Sequence, residues 1–297
     1  MVKSNVLISG ATGWLGREIL NIFSKNNFEK VQINLVSSKN SEVFVTGSKF
    51  EVESFENYRS IDSINSYFDF AFLTKNKLMK IGPEKYKEIN LEIISNSINL
   101  IKRIRPKTVV LSSSGAIYNI KKTKKDEILY SDLKKIQEEL IVKACNESGS
   151  NLIISRIFNL SGRGIPSESN FALADLMING IRDMDLVIDS NYLVTRRYSD
   201  ITQLLKLLVK MANRGQNCVF DSGGIKIELR ALAKVIIKEI KSKSKVVASE
   251  VNLDVEQDDY FSDSYLYERL LIEILGEESL TIGEQIQNTK NSLLNIS

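Results

Sequence analysis

Two side chains with complementary acid–base chemistry, Tyr130 and Lys134, stand four residues apart. If this segment is helical, residues four apart share one face, so the phenol and the ammonium lie together. A nearby ammonium favours the tyrosinate and lowers the pKa of the phenol, which makes the phenol a usable acid or base near neutral pH. The alternative interpretation is an ordinary solvated pair on a helix surface.

A run of hydroxyl groups, Ser112–Ser114, follows the apolar residues 109–111 at the end of a predicted strand. A hydroxyl at that place can hydrogen-bond a substrate carbonyl or alcohol beside the phenol. Serine, tyrosine and lysine converging over a nicotinamide ring are suited to hydride transfer coupled to proton transfer.

Three glycines, Gly10, Gly13 and Gly16, come directly after the apolar run 6–8. At a turn from a strand to a helix, one glycine makes the tight turn, one lets the backbone approach a pyrophosphate, and one lets helix and strand pack closely. The helix N-terminus then offers N–H groups and a positive dipole end to the phosphates. The alternative is a strand–helix turn in a fold that has lost its cofactor.

The elements that must position these residues alternate between strands and helices. Predicted strands cover 4–9, 31–36, 43–52, 69–74, 108–112 and 152–158, and predicted helices cover 14–25, 84–103 and 130–148. This pattern indicates an α/β fold with a Rossmann-type, doubly wound parallel sheet. We predict a dinucleotide-binding domain over 1–160 and a small C-terminal α/β substrate-binding lobe over 161–297, with some segments returning to the first domain. The lobe's predicted helices lie near 170–182, 200–213, 228–242, 264–274 and 282–295.

Composition excludes several classes of function. The net charge of +3 is too small to indicate a nucleic-acid partner. No apolar run reaches the roughly 18 residues of a membrane span, and the first predicted strand leaves no room for a signal peptide, so we expect a cytoplasmic protein without a membrane partner. With no histidine and two cysteines, the sequence excludes a Ser-His-Asp mechanism and predicts no metal site.

The motifs together resemble the extended branch of the short-chain dehydrogenase/reductase superfamily, the NAD-dependent epimerase/dehydratase family. Residues 10–16 match its glycine motif, 111–118 its serine strand, and 130–134 with Glu138 its catalytic helix. Residues 156–162 resemble the strand and loop that lead to the sugar-nucleotide site, and residues 170–174 and 195–198 resemble segments of a subgroup that makes deoxysugars for surface polysaccharides. The resemblance implies that Ser114, Tyr130 and Lys134 are catalytic.

The resemblance also implies which residues contact each ligand. The predicted cofactor contacts are Gly10, Thr12, Gly13, Trp14, Leu15, Gly16, Ser37, Ser38, Lys39, Leu73, Thr74, Lys75, Asn90, Ser112, Tyr130, Lys134 and Ile157. The predicted substrate contacts are Ser114, Gly115, Asn159, Phe171, Arg196 and Arg197, of which Arg196 or Arg197 meets the diphosphate. A structural ion pair with Asp200 is the alternative for the two arginines.

Several residues depart from the family pattern. An acidic residue after the second strand would bind the ribose 2′-hydroxyl of NAD, whereas Ser37, Ser38 and Lys39 suit a 2′-phosphate, so we expect NADP rather than NAD. Residues 69–76 lack the usual His-Leu-Ala-Ala, and Ser114 and Tyr130 are only 16 positions apart. The lysines at 121, 122, 124 and 125 are interpreted as a solvated loop, and binding of substrate phosphates is the alternative.

The function that the resemblance implies is reduction of a nucleotide-activated 4-keto-6-deoxysugar, in deoxysugar and surface-polysaccharide biosynthesis. A nucleotide-sugar epimerase with retained NAD is the alternative enzyme, and a non-catalytic dinucleotide-binding sensor or scaffold is the alternative of another class. Dehydratases of this branch carry an Asp-Glu pair where this chain has Gly115 and Ala116, which argues against dehydration.

A homodimer is the predicted assembly. The helices over 84–103 and 130–148 carry apolar stripes wider than one core-facing side needs, at positions 89, 93, 94, 98 and 101 and at 133, 136, 140 and 141. Family members commonly pair these two helices with those of a second copy. Gln137 is predicted to point outward, into that interface. The alternative is that both stripes belong to the core of one chain.

Overall fold

The computed structural model describes residues 4–25, 31–59, 63–118, 125–166 and 171–294. The lysines at 121, 122 and 124 and the start of the segment 170–174 lie outside these ranges. No helix within them has the length and apolar character that a membrane crossing requires.

Strands and helices alternate along most of the chain. The first set is β1 (Ser4–Ser9), α1 (Trp14–Lys25), β2 (Val31–Ser37), β3 (Ser41–Val45), β4 (Ser48–Ser54), β5 (Ser66–Asp69), α2 (Lys75–Ile81), α3 (Pro83–Ile104), β6 (Thr108–Ser114), a 3₁₀ turn (Gly115–Tyr118), α4 (Lys125–Ser148) and β7 (Asn151–Ile157). The second set is β8 (Asn159–Ser161), α5 (Ala172–Ile181), β9 (Leu186–Ile188), β10 (Val194–Asp200), α6 (Ile201–Asn213), β11 (Cys218–Asp221), β12 (Ile225–Glu228), α7 (Leu229–Ile240), β13 (Val246–Ala248), β14 (Asp258–Tyr260), α8 (Tyr265–Leu270), a π-helical turn (Leu271–Leu275) and α9 (Ile282–Leu294).

Within the described residues, eight strands form one sheet in the order β11-β7-β6-β5-β1-β2-β4-β3. The strands β2, β1, β5 and β6 pair in parallel. The strand order reverses at β1, which has β2 on one side and β5 on the other. The strands β1 and β6 are buried along almost their whole length because helices cover both faces of a parallel sheet. This order confirms the predicted Rossmann-type, doubly wound fold.

Two compact units make up the chain, one of residues 1–156 with 205–220 and the other of residues 157–204 with 221–297. In the first unit, α3 and α4 pack on the sheet and on each other. Their buried residues Leu100, Ile101, Ile141 and Ala144 join the core around Leu7. Much of the two apolar stripes is therefore core within one chain.

In the second unit, β10 lies between β12 and β14 and also pairs with β8, while β9 pairs with β13. The helix α9 fixes the loop that follows β8. Ser161 Oγ donates to Gln285 Oε1 at 2.6 Å, Gly162 N to Thr289 Oγ1 at 2.8 Å, and Gly164 N to Ser292 Oγ at 2.7 Å.

Three predicted elements are wrong in detail. The single strand over 43–52 is a hairpin of β3 and β4, whose turn residues Thr46 and Gly47 both have positive φ, at 49° and 78°. The strand over 69–74 is β5, which ends at Asp69 because the next two backbone N–H groups, of Phe70 and Ala71, donate to Ser9 Oγ instead of to a strand. The helix α4 begins at Lys125, five residues before the predicted start.

Candidate active site

The glycine turn leaves room for a ligand only at its middle glycine. Gly10 has a φ of 69°, and a Cβ there would lie 2.6 Å from the carbonyl carbon of Phe70. A Cβ on Gly16 would lie 2.3 Å from the carbonyl oxygen of Gly10. A Cβ on Gly13 would meet only that same oxygen, at 3.3 Å, and Gly13 is exposed. The exposed side of Gly13 is therefore a cradle that fits a pyrophosphate at the start of α1.

The other predicted residues of this turn surround the cradle. Thr12 is exposed, and Trp14 and Leu15 are half-buried in the first turn of α1. Arg17, which belongs to no motif of the sequence, donates through Nε to the Thr12 carbonyl at 3.0 Å and reaches the Phe44 carbonyl at 3.4 Å. This arginine therefore connects the glycine turn to the β3–β4 hairpin.

The end of β2 presents hydroxyl groups and a lysine. Ser37 Oγ donates to the Lys39 carbonyl at 2.6 Å, and Ser38 and Lys39 are exposed. A strand end that is open to solvent and carries no carboxylate accepts either a ribose hydroxyl or a phosphate.

The end of β6 is organised by its three serines. Ser112 Oγ donates to the Asp69 carbonyl at 3.3 Å, and Ser113 donates to Glu138. Ser114 Oγ accepts the backbone N–H of Ala116 at 3.1 Å, which starts the 3₁₀ turn at Gly115. The third hydroxyl is therefore held at the carboxyl end of β6, and open α/β sheets bind ligands at the carboxyl ends of their strands.

Tyr130 is half-buried on α4 and interacts with the Ser114 hydroxyl. Burial raises the pKa of the Tyr130 phenol, and a side-chain hydrogen bond with Ser114 opposes that rise. The direction is opposite to the one expected from the Tyr–Lys spacing. The Tyr130 ring packs edge-on against Phe72, with centroids 5.8 Å apart, and Lys75 Nζ lies 5.4 Å from its centroid.

Lys134 is buried in a polar pocket on the same helix. Its Nζ donates to the Ser112 carbonyl at 3.0 Å and to Gln137 Oε1 at 2.9 Å, and lies 3.8 Å from the centroid of Phe72. Burial lowers the pKa of Lys134 to about 7, while the charges of Asp69 and Glu138 act to raise it.

The predicted outward direction of Gln137 is wrong. Only 1% of the residue is exposed, because it lies three residues after Lys134 on the inward face of α4 and accepts the lysine's hydrogen bond. A polar residue between apolar neighbours on a helix is ambiguous in sequence, and the spacing to Lys134 is the signal that identifies it.

Asp69 is a second buried charge, and no sequence motif marks it. Its Oδ1 accepts the Ser9 hydroxyl at 2.7 Å, beside the glycine turn. Burial raises the pKa of the Asp69 carboxyl, against the opposing effects of Ser9, Ser97 and Lys134. The charge of this carboxylate, like that of Glu138, acts to raise the pKa of Lys134.

Asn90 shapes the segment after β5 from inside the protein. Fully buried, it accepts the Leu73 N–H at 2.9 Å and donates to the Tyr86 carbonyl at 3.0 Å. Tyr86 Oη donates to the Leu73 carbonyl at 2.6 Å, so the backbone of Leu73 is held at both of its polar groups. Of the neighbours predicted to contact the cofactor, Thr74 and Lys75 are exposed, and Lys75 lies 3.9 Å from Glu127.

A second network of hydrogen bonds and an ion pair lies beside β6, the strand that carries the three serines. Arg156 forms a two-pronged ion pair with Glu138, at 3.1 and 2.8 Å, and donates to Tyr118 Oη at 2.8 Å. Glu138 also accepts Ser113. The network ties α4, β6, β7 and the 3₁₀ turn together.

The remaining predicted contacts belong to the strands β7, β8 and β10 and to the start of α5. Ile157 ends β7, and Phe171, 42% exposed, precedes α5. Asn159 donates to the carbonyls of Arg197 and Tyr260, at 3.3 and 3.4 Å.

The two arginines of β10 already have protein partners. Arg196 forms an ion pair of 2.6 Å with Asp258, instead of with the Asp200 that the sequence suggests. Arg197 donates to the Gly224 carbonyl and to Ser264 Oγ, both at 2.9 Å. Among the described residues, no group of three or more histidine, cysteine, aspartate or glutamate side chains is arranged to hold a metal ion.

Comparison with known proteins points to one family. The profile of the NAD dependent epimerase/dehydratase family matches residues 6–220. The chain is similar in structure to a UDP-N-acetylglucosamine 4-epimerase from Methanobrevibacter ruminantium, solved with UDP-N-acetylmuramic acid, at a TM-score of 0.77 and 15% identity over 100% of both chains. No curated protein matches the sequence.

Two further solved structures extend this likeness. A UDP-glucose 4-epimerase from Thermotoga maritima, solved with UDP-glucose, gives a TM-score of 0.77 at 17% identity, covering 98% of this chain and 99% of that one. An NAD-dependent NDP-hexosamine 5,6-dehydratase of tunicamycin biosynthesis gives 0.74 at 17% identity, covering 99% and 98%. At these identities the likeness establishes the fold.

Proposed function

Because the chain belongs to the NAD dependent epimerase/dehydratase family, we propose that it moves a hydride between a nicotinamide cofactor and a nucleotide-activated sugar. The observation that carries the proposal is the placement of three residues: Ser114 ends β6, Tyr130 and Lys134 lie one turn apart on α4, and Lys134 Nζ bonds the Ser112 carbonyl of the same strand at 3.0 Å. The nucleotide sugars in the two epimerase structures support the substrate class.

Each residue then has a definite role. The bound cofactor supplies the hydride acceptor or donor, with its pyrophosphate in the cradle at Gly13. Tyr130 takes the proton from the sugar hydroxyl, or returns it to the keto oxygen, and Ser114 orients that oxygen. Lys134 is proposed to bind the hydroxyls of the cofactor's ribose.

For the net reaction we propose epimerisation, with reduction of a 4-keto-6-deoxysugar as the second candidate. The epimerase function is supported by the two similar epimerase structures. The reductase function is supported by the end of β2, where hydroxyls and Lys39 in place of an acidic residue suit an exchangeable NADPH. Gly115 and Ala116, at the start of the 3₁₀ turn, carry no acid for dehydration.

The purified protein distinguishes these reactions. Stoichiometric NAD released on denaturation, together with interconversion of UDP-glucose or UDP-N-acetylglucosamine into its 4-epimer by chromatography, is the expected result for an epimerase. Oxidation of added NADPH by a nucleotide 4-keto-sugar is the result for a reductase. A protein that binds dinucleotide and turns over neither substrate is the non-catalytic sensor or scaffold.

We also propose which residues bind the substrate. Arg197 is the better candidate for the diphosphate, because its partners are a carbonyl and a hydroxyl, whereas Arg196 is neutralised by Asp258. Gly115, Asn159 and Phe171 are proposed to line the sugar.

We also propose a homodimer. Four large apolar residues are exposed on α3 and α4, namely Leu91, Ile128, Leu140 and Val142, and they are the candidates for the interface. Sedimentation equilibrium at micromolar concentration is expected to give twice the chain mass, and Leu140→Lys is expected to give a folded monomer. A single-chain mass for the wild type at every concentration excludes the dimer.

A further inference from the structure

The Nζ of Lys134 contacts three groups of the protein. A lysine ammonium carries three donors and no acceptor. One donor bonds the Ser112 carbonyl at 3.0 Å, and a second bonds Gln137 Oε1 at 2.9 Å. The third is left for the face of Phe72, whose centroid lies 3.8 Å from Nζ, well inside the range of a cation–π contact. A ribose hydroxyl can bind this lysine only by displacing one of the three.

Phe72 is the partner that can be displaced most easily. The Ser112 carbonyl belongs to the buried strand β6, and Gln137 is buried on the same helix as Lys134. Phe72 is half-buried, and its ring also packs edge-on against Tyr130. One aromatic ring therefore contacts both groups that the proposed chemistry needs, the phenol and the ammonium.

The backbone beside this ring is fixed. The Leu73 N–H bonds Asn90 and the Leu73 carbonyl accepts Tyr86 Oη. A change in this segment is therefore expected at the side-chain torsions of Phe72, which leave the backbone hydrogen bonds intact.

We propose that the Phe72 ring fills the subsite for the ribose on the nicotinamide side of the cofactor, and that this ring must rotate away before that ribose reaches Lys134. The inference rests on the proposed function, since it takes Lys134 as the ribose-binding residue. The apparent affinity of the whole cofactor is then reduced by the fraction of molecules in which the ring blocks the subsite.

Two ligands that differ by one ribose isolate this subsite. ADP contains only the adenosine and pyrophosphate portion, whereas ADP-ribose adds the second ribose without a nicotinamide. Trp14, the single tryptophan of the sequence, lies in the first turn of α1 beside the cradle, so its fluorescence reports binding without any turnover. NADH is the third ligand.

Three variants at position 72 separate the effect of the aromatic face from the effect of side-chain volume. Phe72→Ala removes both, Phe72→Leu removes the aromatic face and keeps an apolar side chain, and Phe72→Tyr keeps the ring as the matched control. At pH 6, where the amine of Lys134 is charged, loss of the cation–π contact is expected to tighten binding of ADP-ribose and NADH about three- to thirtyfold in the Ala and Leu variants. ADP is expected to bind all four proteins equally, and Phe72→Tyr is expected to match the wild type.

Two kinds of failure are distinguishable. If ADP binds but the Ala and Leu variants leave the ratio of ADP-ribose to ADP affinity unchanged, the role of Phe72 is refuted while the dinucleotide site stands. If ADP, ADP-ribose and NADH bind none of the folded proteins, the proposed function is refuted and the inference falls with it. If Phe72→Ala does not fold, Phe72→Leu gives the same decision.

Discussion

The glycine turn and the pocket around Lys134 belong to the same unit but are built by different means. At the turn, the space comes from missing side chains, and the groups proposed to bind the pyrophosphate are backbone N–H groups at the start of α1. At Lys134, the space is filled by side chains from α4 and from the segment after β5. A site made of backbone is ready before its ligand arrives, whereas a site made of long side chains satisfies itself until a ligand competes.

Removing the Tyr130 hydroxyl is expected to have the largest effect, and to separate catalysis near Lys134 from binding at the glycine turn. Tyr130→Phe keeps the ring on Phe72 but loses the transferable proton, so turnover is expected to fall by roughly 10²–10⁴. The quenching of Trp14 by ADP is expected to be unchanged, because the glycine turn keeps its geometry. A variant with near wild-type turnover on the true substrate shows that Tyr130 is not the acid.

Adding one methyl group at each of two glycines tests the turn itself. Gly16→Ala places a Cβ 2.3 Å from the Gly10 carbonyl oxygen, and is expected to cost about 3 kcal/mol of unfolding free energy. Gly13→Ala meets that oxygen at 3.3 Å, and is expected to change stability by less than about 1 kcal/mol while ADP affinity falls at least about tenfold. Urea unfolding and Trp14 fluorescence measure both. Equal destabilisation by the two variants contradicts the assignment of separate roles.

The burial of Lys134 can be tested through the pH dependence of the free energy of unfolding. Burial lowers the pKa of Lys134 to about 7, compared with 10.5 for an exposed lysine. Between these values the unfolded chain binds more protons, so the free energy of unfolding rises with pH and the cost of burying the charge is largest below pH 7. From pH 7 to 9 the wild type is expected to gain about 2 kcal/mol relative to Lys134→Met.

Urea unfolding at pH 7, 8 and 9 measures that difference. Lys143→Met removes an exposed lysine from the same helix and is expected to keep the wild-type pH dependence. A constant difference between wild type and Lys134→Met across this range excludes titration of Lys134.

The smallest effect is expected at the end of β2. Ser37→Asp places a carboxylate where a 2′-phosphate is proposed to lie, so NADP affinity is expected to fall about tenfold while NAD affinity holds or rises. Ser48→Asp adds the same charge at an exposed position of the hairpin and is the control. Equal effects of Ser37→Asp on both cofactors place residue 37 away from the ribose.

The same contrast explains what the sequence can predict. The glycine turn is readable because spacing along a strand and a helix determines where Gly10, Gly13 and Gly16 lie, and the alternation of elements predicts the sheet. The positions of Ser114 at the end of a strand and of Tyr130 on the next helix are also predictable. These features depend on local periodicity and on the order of the strands.

The surroundings of Lys134 depend on tertiary contacts that no local pattern specifies. In the sequence, Asp69 and Phe72 look like ordinary strand residues, because the apolar pattern places β5 too late in the chain. Gln137 looks like a surface residue because its inward direction follows only from the packing of α4. The expectation of a lowered pKa for Tyr130 fails for the same reason, since burial, which raises it, is not visible in spacing.

The hydrogen bonds between α9 and the loop after β8 affect the order in which parts of this protein can fold during synthesis. The donors of Ser161, Gly162 and Gly164 are paired with acceptors 124, 127 and 128 residues further along the chain. During synthesis, that loop leaves the ribosome long before the helix that satisfies it, whereas β1, α1 and β2 can meet early. We therefore expect the second unit to fold last and to be most open to proteolysis in the interval before α9 emerges.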